Sequence, residues 1–390
     1  MRVLIAGAGI AGLVAARQLG LAGWQVTVLE RSGGPRSEGY MMDFFGPGVL
    51  AAERIGLAGR MREAAYDVDA ACYVDPAGKE TGRLNYRSFQ LLAGGKVFSL
   101  MRPDLEAVAR QALADVPAGR ISLHYGCTVQ SVDNAQVGVA LHCAGQSGTF
   151  RGDVLIGADG LHSTVRREVF GPDSTYFLDL GMRAAAYIVT DPELNARIRD
   201  TFMLTDSVGR SAGYYALSDG RVAVFLVYRP RAQDRGKPTR QVLREQFDGL
   251  GREVDRLLEL CPERPYDDAV AQILMPRIFA GRTLLLGDAG GAVSLLAGQG
   301  ASLAIAGAAR LGDELGQLSD PDRVPAAVAG FATSWLPVIR QAQASGRRAA
   351  RSFLPRNRWQ QLQRRMILKA TNLPVLEKIV ARQIVARLAK

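Results

Sequence analysis

At 390 residues the chain is too long for one ordinary core, and 48% hydrophobic with 22% charged residues argues against wholesale disorder. Four scattered cysteines (Cys72, Cys127, Cys143, Cys261) and three histidines outside any nucleophile motif (His124, His142, His162) exclude a zinc site of usual spacing, a disulfide framework and triad hydrolysis. The net charge of +10 is uneven: between Arg340 and Lys390 thirteen Lys or Arg face one acid, Glu377, a local +12 that leaves −2 on the first 339 residues.

Arg2 to Ala6 is a short apolar run suited to a buried parallel strand, followed by a glycine turn, a helix over Ala11 to Ala22 and a second strand, Gln25 to Leu29. Three spaced glycines break this N-terminal apolar stretch, so it reads as a folded βαβ unit and not as a secretory signal, and a cytoplasmic location is expected. Helices are expected over Ala51 to Ala65 and Pro103 to Leu113, the second opened by its proline. Arg120 to His124, Thr128 to Val132 and Gly138 to Cys143 alternate like antiparallel strands, and Val154 to Gly157 reads as another buried strand. From about Gly181 the texture changes to strands (Ala184 to Thr190, Ser211 to Leu217, Arg221 to Tyr228, with a turn at Asp219-Gly220) and two helices, Thr239 to Leu250 and Arg252 to Leu260. Thr283 to Leu286 returns to the first pattern, and beyond Ala329 the chain reads as basic helix. The expected class is mixed α/β: a discontinuous Rossmann-like nucleotide domain (1–71, 99–177, 273–330), an inserted β-sheet substrate domain (72–98, 178–272) and C-terminal basic helices (331–390). No run approaches the roughly twenty apolar residues of a transmembrane helix.

Gly7-Ala8-Gly9-Ile10-Ala11-Gly12 is a GxGxxG between a strand and a helix. Gly7 allows the tight turn, Gly9 the approach of a pyrophosphate, and Gly12 close helix–strand packing. Glu30 ends the second strand, 18 residues after Gly12, where a carboxylate can accept from ribose hydroxyls. This motif alone does not separate NAD from FAD. Two further strands, in VLIGADGLHSTVR from Val154 and RTLLLGDAGGAVSLLAGQGAS from Arg282, each end in an Asp beside Gly. The glycines of Gly298-Gln299-Gly300 leave N–H groups free for a phosphate or a ring carbonyl.

With these three motifs in order, the chain resembles the p-hydroxybenzoate-hydroxylase-like family of single-component FAD monooxygenases, which includes the tetracycline-inactivating ones. The resemblance covers nearly the whole chain and implies FAD as cofactor, NADPH or NADH and O2 as co-substrates, and oxygenation through a flavin C4a-hydroperoxide. It implies FAD contacts from Gly7, Gly9, Ala11, Gly12, Glu30, Arg31, Arg102, Val129, Asp159, Asp288, Gly298, Gly300 and Ala301. The chain departs from the family pattern at Gly291 and Leu295, where a His and a Pro are common, and at Ser302 and Gly307, where an Asn and an Asp are common. No catalytic acid or base is transferred through that loop. No second GxGxxG and no paired tryptophans are present, which disfavours a disulfide-reductase-type enzyme and a flavin halogenase.

Asp43 falls where the family's chain passes the flavin ring and is a candidate near it, against the alternative of a surface loop acid. Met42, Arg183, Tyr187, Tyr214 and Tyr228 are candidate substrate contacts suited to a small aromatic or polyketide-like ligand, although any one tyrosine is more often a half-buried sheet residue. Leu373, Leu376, Val380, Ile384 and Leu388 repeat at helical spacing in the basic tail. This suits a helix packed on the body, or a peripheral membrane contact. Nucleic-acid binding would need a motif or aromatic platforms, and neither is present. Three readings stay open besides hydroxylation: a Baeyer–Villiger oxygenation, a flavin dehydrogenase, oxidase or reductase on the same fold, and a non-catalytic flavoprotein.

Overall fold

The structure is a computed structural model and describes residues 1–35, 39–86, 97–135, 137–144 and 148–371, with side chains described as far as Met366. The tail positions Leu373, Leu376, Val380, Ile384 and Leu388 lie outside the described residues.

Arg2–Ala6 forms the middle of a six-stranded sheet because every side chain after Arg2 is apolar and can be buried on both faces. The order is Phe279–Ala280, Thr283–Leu285, Val154–Gly157, Arg2–Ala6, Gln25–Leu29 and Ile121–His124, parallel except at the first pair. Ile121–His124 therefore corrects the antiparallel expectation: it pairs parallel with Gln25–Leu29 as the edge of this sheet. Four residues are too few for alternation to reveal a strand's direction. Thr128–Asn134 and Val139–Ala144 are antiparallel as expected, and Gly148–Gly152, not anticipated from the sequence, adds a third antiparallel strand to this ribbon.

Helix Ile10–Leu21 packs on this sheet against helix Gly300–Gly316. Their approach is close, since a Cβ on Gly312 would lie 2.5 Å from the Gln18 Cβ. The single helix expected over Ala51 to Ala65 is two, Pro47–Arg54 and Ala58–Glu63. Gly56 between them takes φ +75°, which ends the first.

The second sheet has seven strands in the order Tyr266–Ile273, Phe177–Thr190, Arg221–Tyr228, Arg210–Ala216, Thr201–Ser207, Ala70–Val74 and Glu80–Asn85. One face buries Tyr187, Val224 and Leu226 beneath helices Thr239–Phe247 and Arg252–Glu259. The other turns toward the ribbon Met41–Phe44/Phe98–Met101, where Tyr215 packs with Met101 and Ala223. Helix Val324–Phe353 then seats Trp335 and Ile339 in the first core, and helix Arg358–Thr371 follows it.

Candidate active site

The site begins at the turn after Arg2–Ala6. Gly7 has φ +103°, and a Cβ there would sit 2.4 Å from the Ala158 carbonyl oxygen of the neighbouring strand's loop. A Cβ on Gly12 would sit 2.0 Å from the Gly7 oxygen. Only glycine lets these three backbones meet. Gly9 differs: the nearest atom to its Cβ position is an Arg102 guanidinium nitrogen at 4.0 Å, so this glycine faces open space. No side chain caps the helix N-terminus at Gly9, which leaves its N–H groups directed outward.

That space is a cavity of about 470 Å³ whose lining includes Gly7, Gly9, Glu30, Arg31, Arg102, Val129, Asp159 and Asp288. Its size suits a ligand site. Glu30 is buried, and its carboxylate accepts from the N–H groups of Ala8 and Ser32, both at 2.9 Å, so it fixes the loop as well as facing the cavity. Arg31 is exposed at the rim. Gly12 lines neither this cavity nor its neighbour and is a packing residue.

The Asp159 carboxylate accepts from Ser163 Oγ and from the N–H groups of Thr164 (2.7 Å) and Val165 (3.1 Å), holding the start of helix Thr164–Phe170. Burial raises its pKa, and these hydrogen bonds oppose the rise. Arg166, fully buried, donates to the carbonyls of Leu161 (2.7 Å) and Ala289 (3.0 Å) and to Asp173 (2.7 Å). It thereby ties the Asp159 loop to the loop of Asp288.

Asp288 lies at the junction with a second cavity of about 180 Å³, which shares Gly9, Tyr40, Arg102 and Tyr266 with the first. Burial raises the Asp288 pKa, and the Arg102 charge opposes it. Ala11, Met42, Gly298, Gly300 and Ala301 line this second cavity. Gly298 takes φ +65°, and the start of helix Gly300–Gly316 has no side-chain cap. Of the residues anticipated as cofactor contacts, all but Gly12 line one or both cavities.

The anticipated substrate residues divide. Met42 lines the second cavity. Asp43, next along the strand, points the other way: its carboxylate accepts from Ser99 Oγ at 3.0 Å, and burial pushes its pKa up to about 6. Arg183 pairs with Asp267 at 3.0 Å. Tyr187 donates to the Leu257 carbonyl at 3.1 Å, and Tyr214 is buried in the same core. Tyr228 packs edge-on against Phe247 and donates to Asp267. Arg183 and these three tyrosines line neither cavity. The tyrosines lie under the helices because alternation along a strand sends neighbours to opposite faces.

The aromatic side chains around the second cavity are others. Tyr40 and Tyr266 line it with ring centroids 6.4 Å apart, and Tyr40 is also 5.2 Å from Phe225. Tyr215, adjacent to the anticipated Tyr214, takes the opposite face, accepts from the Met41 N–H and donates to Met101 Sδ at 3.1 Å. Burial raises the Tyr40 pKa to about 12 and lifts that of Tyr215 well above its ordinary value, so both hydroxyls stay protonated. His162, in the Asp159 loop, meets Asp268 of the seven-stranded sheet at 3.0 Å where both line the larger cavity. Tyr215 itself lines neither cavity, whereas Tyr40 and Tyr266, which line both, were not among the anticipated residues.

The departures at Gly291 and Gly307 have a local cause. A Cβ on Gly291 would lie 2.4 Å from Ile339 Cγ2, and one on Gly307 would lie 3.0 Å from the Trp335 ring. Helix Val324–Phe353 occupies the volume that a His or an Asp would need. Ser302 donates to the Phe45 carbonyl at 2.7 Å and accepts from the Gly48 N–H at 2.8 Å.

A family model described as FAD binding domain matches residues 1–342. The chain is 34% identical over 343 residues to uncharacterized protein Rv1260 of Mycobacterium tuberculosis (strain ATCC 25618 / H37Rv), covering 82% of this chain and 86% of that one. It is 28% identical to a flavin-dependent monooxygenase of an unknown prokaryotic organism, covering 90% of each. Among solved structures, tetracycline destructase Tet(51) matches with TM-score 0.78 at 25% identity, covering 98% of this chain and 97% of that one. Klebsiella pneumoniae HpxO complexed with FAD and uric acid matches with TM-score 0.77 at 21% identity, covering 98% and 97%.

Proposed function

The chain belongs to the FAD-binding-domain family and is an FAD-dependent monooxygenase, and from that premise we propose that it is an NAD(P)H-consuming hydroxylase of small aromatic or polyketide-like substrates. The observation that carries this reading is that the two cavities share Gly9, Tyr40, Arg102, Tyr266 and Asp288: the larger takes in the Gly7–Gly9 turn, Glu30 and Val129, and the smaller adds Met42, Gly300 and Ala301. The residues fit FAD. Glu30 would meet the adenosine ribose, with Arg31 beside it and the Val129 backbone at the adenine. Arg102 and the N–H groups after Gly9 would meet the diphosphate, and Asp288 the ribityl chain. The N–H groups at Gly300 and Ala301 would meet the ring.

When bound, FAD supplies redox chemistry that side chains lack: it takes a hydride from NAD(P)H and activates O2, so that RH, O2, NAD(P)H and a proton give ROH, water and NAD(P)+. The protein's part is to bind, orient and exclude water. Tyr40 and Tyr266 offer ring faces to a planar substrate, and the protonated Tyr40 hydroxyl can donate without taking up charge. Tyr215 fixes the ribbon that carries Met42 by accepting from the Met41 N–H. Tet(51) is named for destroying tetracycline, and HpxO was solved with uric acid. Both ligands are fused-ring compounds rich in polar groups, a class this cavity suits. The four free, buried cysteines support the cytoplasm as the compartment.

The test is NAD(P)H oxidation by the FAD-loaded protein across a panel of phenolic and polyketide ligands under 18O2. Ligand-stimulated oxidation with one labelled oxygen in the product is expected. Ligand oxidation without label would move the assignment to a dehydrogenase or oxidase, and a ring-expanded ester to a Baeyer–Villiger enzyme. No NAD(P)H consumption with any ligand would remove the proposal.

A further inference from the structure

Among its described side chains, helix Arg358–Thr371 is seated by one face. Gln361 donates to the Asp206 carbonyl at 3.0 Å, and Arg364 pairs with Asp206 at 3.2 Å and donates to the Phe353 carbonyl at 2.8 Å. The Arg364 guanidinium also lies over the Tyr73 ring at 5.4 Å. On the outward face, Trp359, Leu362 and Met366 recur at i, i+3 and i+7 and are 73%, 49% and 53% exposed. Val208 is a further exposed apolar side chain close to the start of this helix: it is 40% exposed on the turn whose Gly209 donates to the Pro355 carbonyl. These side chains would contribute to packing if covered, and a lone helix has no reason to align them outward.

The charge around the stripe identifies what covers it. Arg348, Arg351, Arg356 and Arg358 are all exposed beside it or on the preceding helix end. The sequence from 324 to 376 contains no Asp or Glu at all. An apolar stripe carrying tryptophan, flanked by arginines on a segment that is itself free of acid, matches the boundary of a bilayer. There the ring and aliphatic groups enter the headgroup region and the guanidinium groups meet lipid phosphates. The chain's own 372–390 is a poorer occupant on charge, because its four Lys or Arg against Glu377 would bring positive charge onto positive charge. No described helix is long and apolar enough to cross a membrane, so the contact is peripheral. We propose that the outward face of helix Arg358–Thr371, with Val208, docks the enzyme on an anionic lipid surface.

The experiment is flotation of the full-length, FAD-loaded protein with two vesicle preparations, phosphatidylcholine alone and equal parts phosphatidylcholine and phosphatidylglycerol. Binding only to the second is expected, with release as salt rises from about 0.1 M to about 0.5 M. Trp359 fluorescence should shift blue and be quenched by brominated lipid, while Trp24 and Trp335, both buried, stay as background. Trp359→Ser and, separately, Arg358→Glu should each weaken the partition on the order of tenfold with flavin content unchanged. Any of four results overturns the proposal: no binding to the anionic vesicles, equal binding to both preparations, unaltered binding by both variants, or a wild-type Trp359 already shielded without lipid. The last would mean that residues 372–390 or a second copy holds the stripe. Sedimentation distinguishes those two, since a dimer dissolved by Trp359→Ser indicates the second copy.

Discussion

Two glycine-rich segments build this site, and their glycines exclude side chains for different reasons. In the first, 7–12, the atoms that a Cβ would strike are backbone: the Ala158 oxygen above Gly7 and the Gly7 oxygen above Gly12. In the second, 287–307, they are mostly side chains. Ile339 fills the space at Gly291 and Trp335 the space at Gly307, both from one face of helix Val324–Phe353. Backbone-to-backbone contact serves any dinucleotide held at that turn. Side-chain contact serves this chain's own C-terminal helix, which is why the second segment leaves the family pattern where the first does not.

The contrast predicts unequal tolerance. Gly12→Ala places a methyl 2.0 Å from a carbonyl oxygen that cannot move without the whole turn, and about 3 kcal/mol of stability should be lost together with most bound flavin. Thermal denaturation and the flavin absorbance of the purified protein check this. A stable, fully yellow Gly12→Ala would mean that the turn is not constrained as described.

Gly291→His, which restores the residue common in the family, should cost about 2 kcal/mol, because its Cβ would meet Ile339 at 2.4 Å. Here the obstacle is removable. Ile339→Ala alone leaves a small cavity, but combined with Gly291→His it should recover part of the loss, with a coupling of about 1 kcal/mol in a double-mutant cycle. Strictly additive losses would break the comparison, since they would show that the helix does not hold position 291 open.

The same distinction explains what the sequence made legible. The Rossmann-like half could be read because its motifs report backbone geometry: Gly7, Gly9, Glu30 and Asp288 lie on or beside the cavities where their spacing implied. The direction of Ile121–His124 was not legible, because four residues fit a parallel edge as well as an antiparallel one. The substrate face was also hidden. The seven-stranded sheet buries both faces, so alternation identifies two sets of residues without saying which set meets helices and which meets the cavity. Tyr187, Tyr214 and Tyr228 fell in the helix-covered set, and Tyr215 and Phe225 in the other. Tyr40, on a loop, carried no periodic signal.

Tyr187→Phe sharpens that division. It removes the hydrogen bond to the Leu257 carbonyl and leaves that acceptor unpaired in the core, for about 1 kcal/mol. Ligand affinity, read from quenching of the bound flavin's fluorescence, should not change. Phe225→Ala, beneath Tyr40 on the opposite face, should weaken ligand binding severalfold, by about 1 kcal/mol. A Tyr187→Phe enzyme with altered ligand affinity would return that tyrosine to the site.

The smallest expected effect concerns Asp43, one residue from the cavity-lining Met42 and facing away from it. Its folded pKa of about 6 lies above the ordinary 3.8 because burial disfavours the carboxylate, with the Ser99 hydrogen bond opposing. The folded state therefore binds this proton more tightly than the unfolded chain does. Asp43 costs nothing below pH about 4, and its penalty grows as pH rises through about 6. Asp43→Asn keeps the neutral shape at every pH. The variant should match the parent near pH 4 and exceed its stability at pH 7 and above, by no more than about 1 kcal/mol given the residue's partial exposure. Melting temperatures measured across that range test the sign as well as the size. A variant less stable than the parent at high pH would mean that the carboxylate is held charged by a partner, and so would return Asp43 to the list of groups available to the reaction.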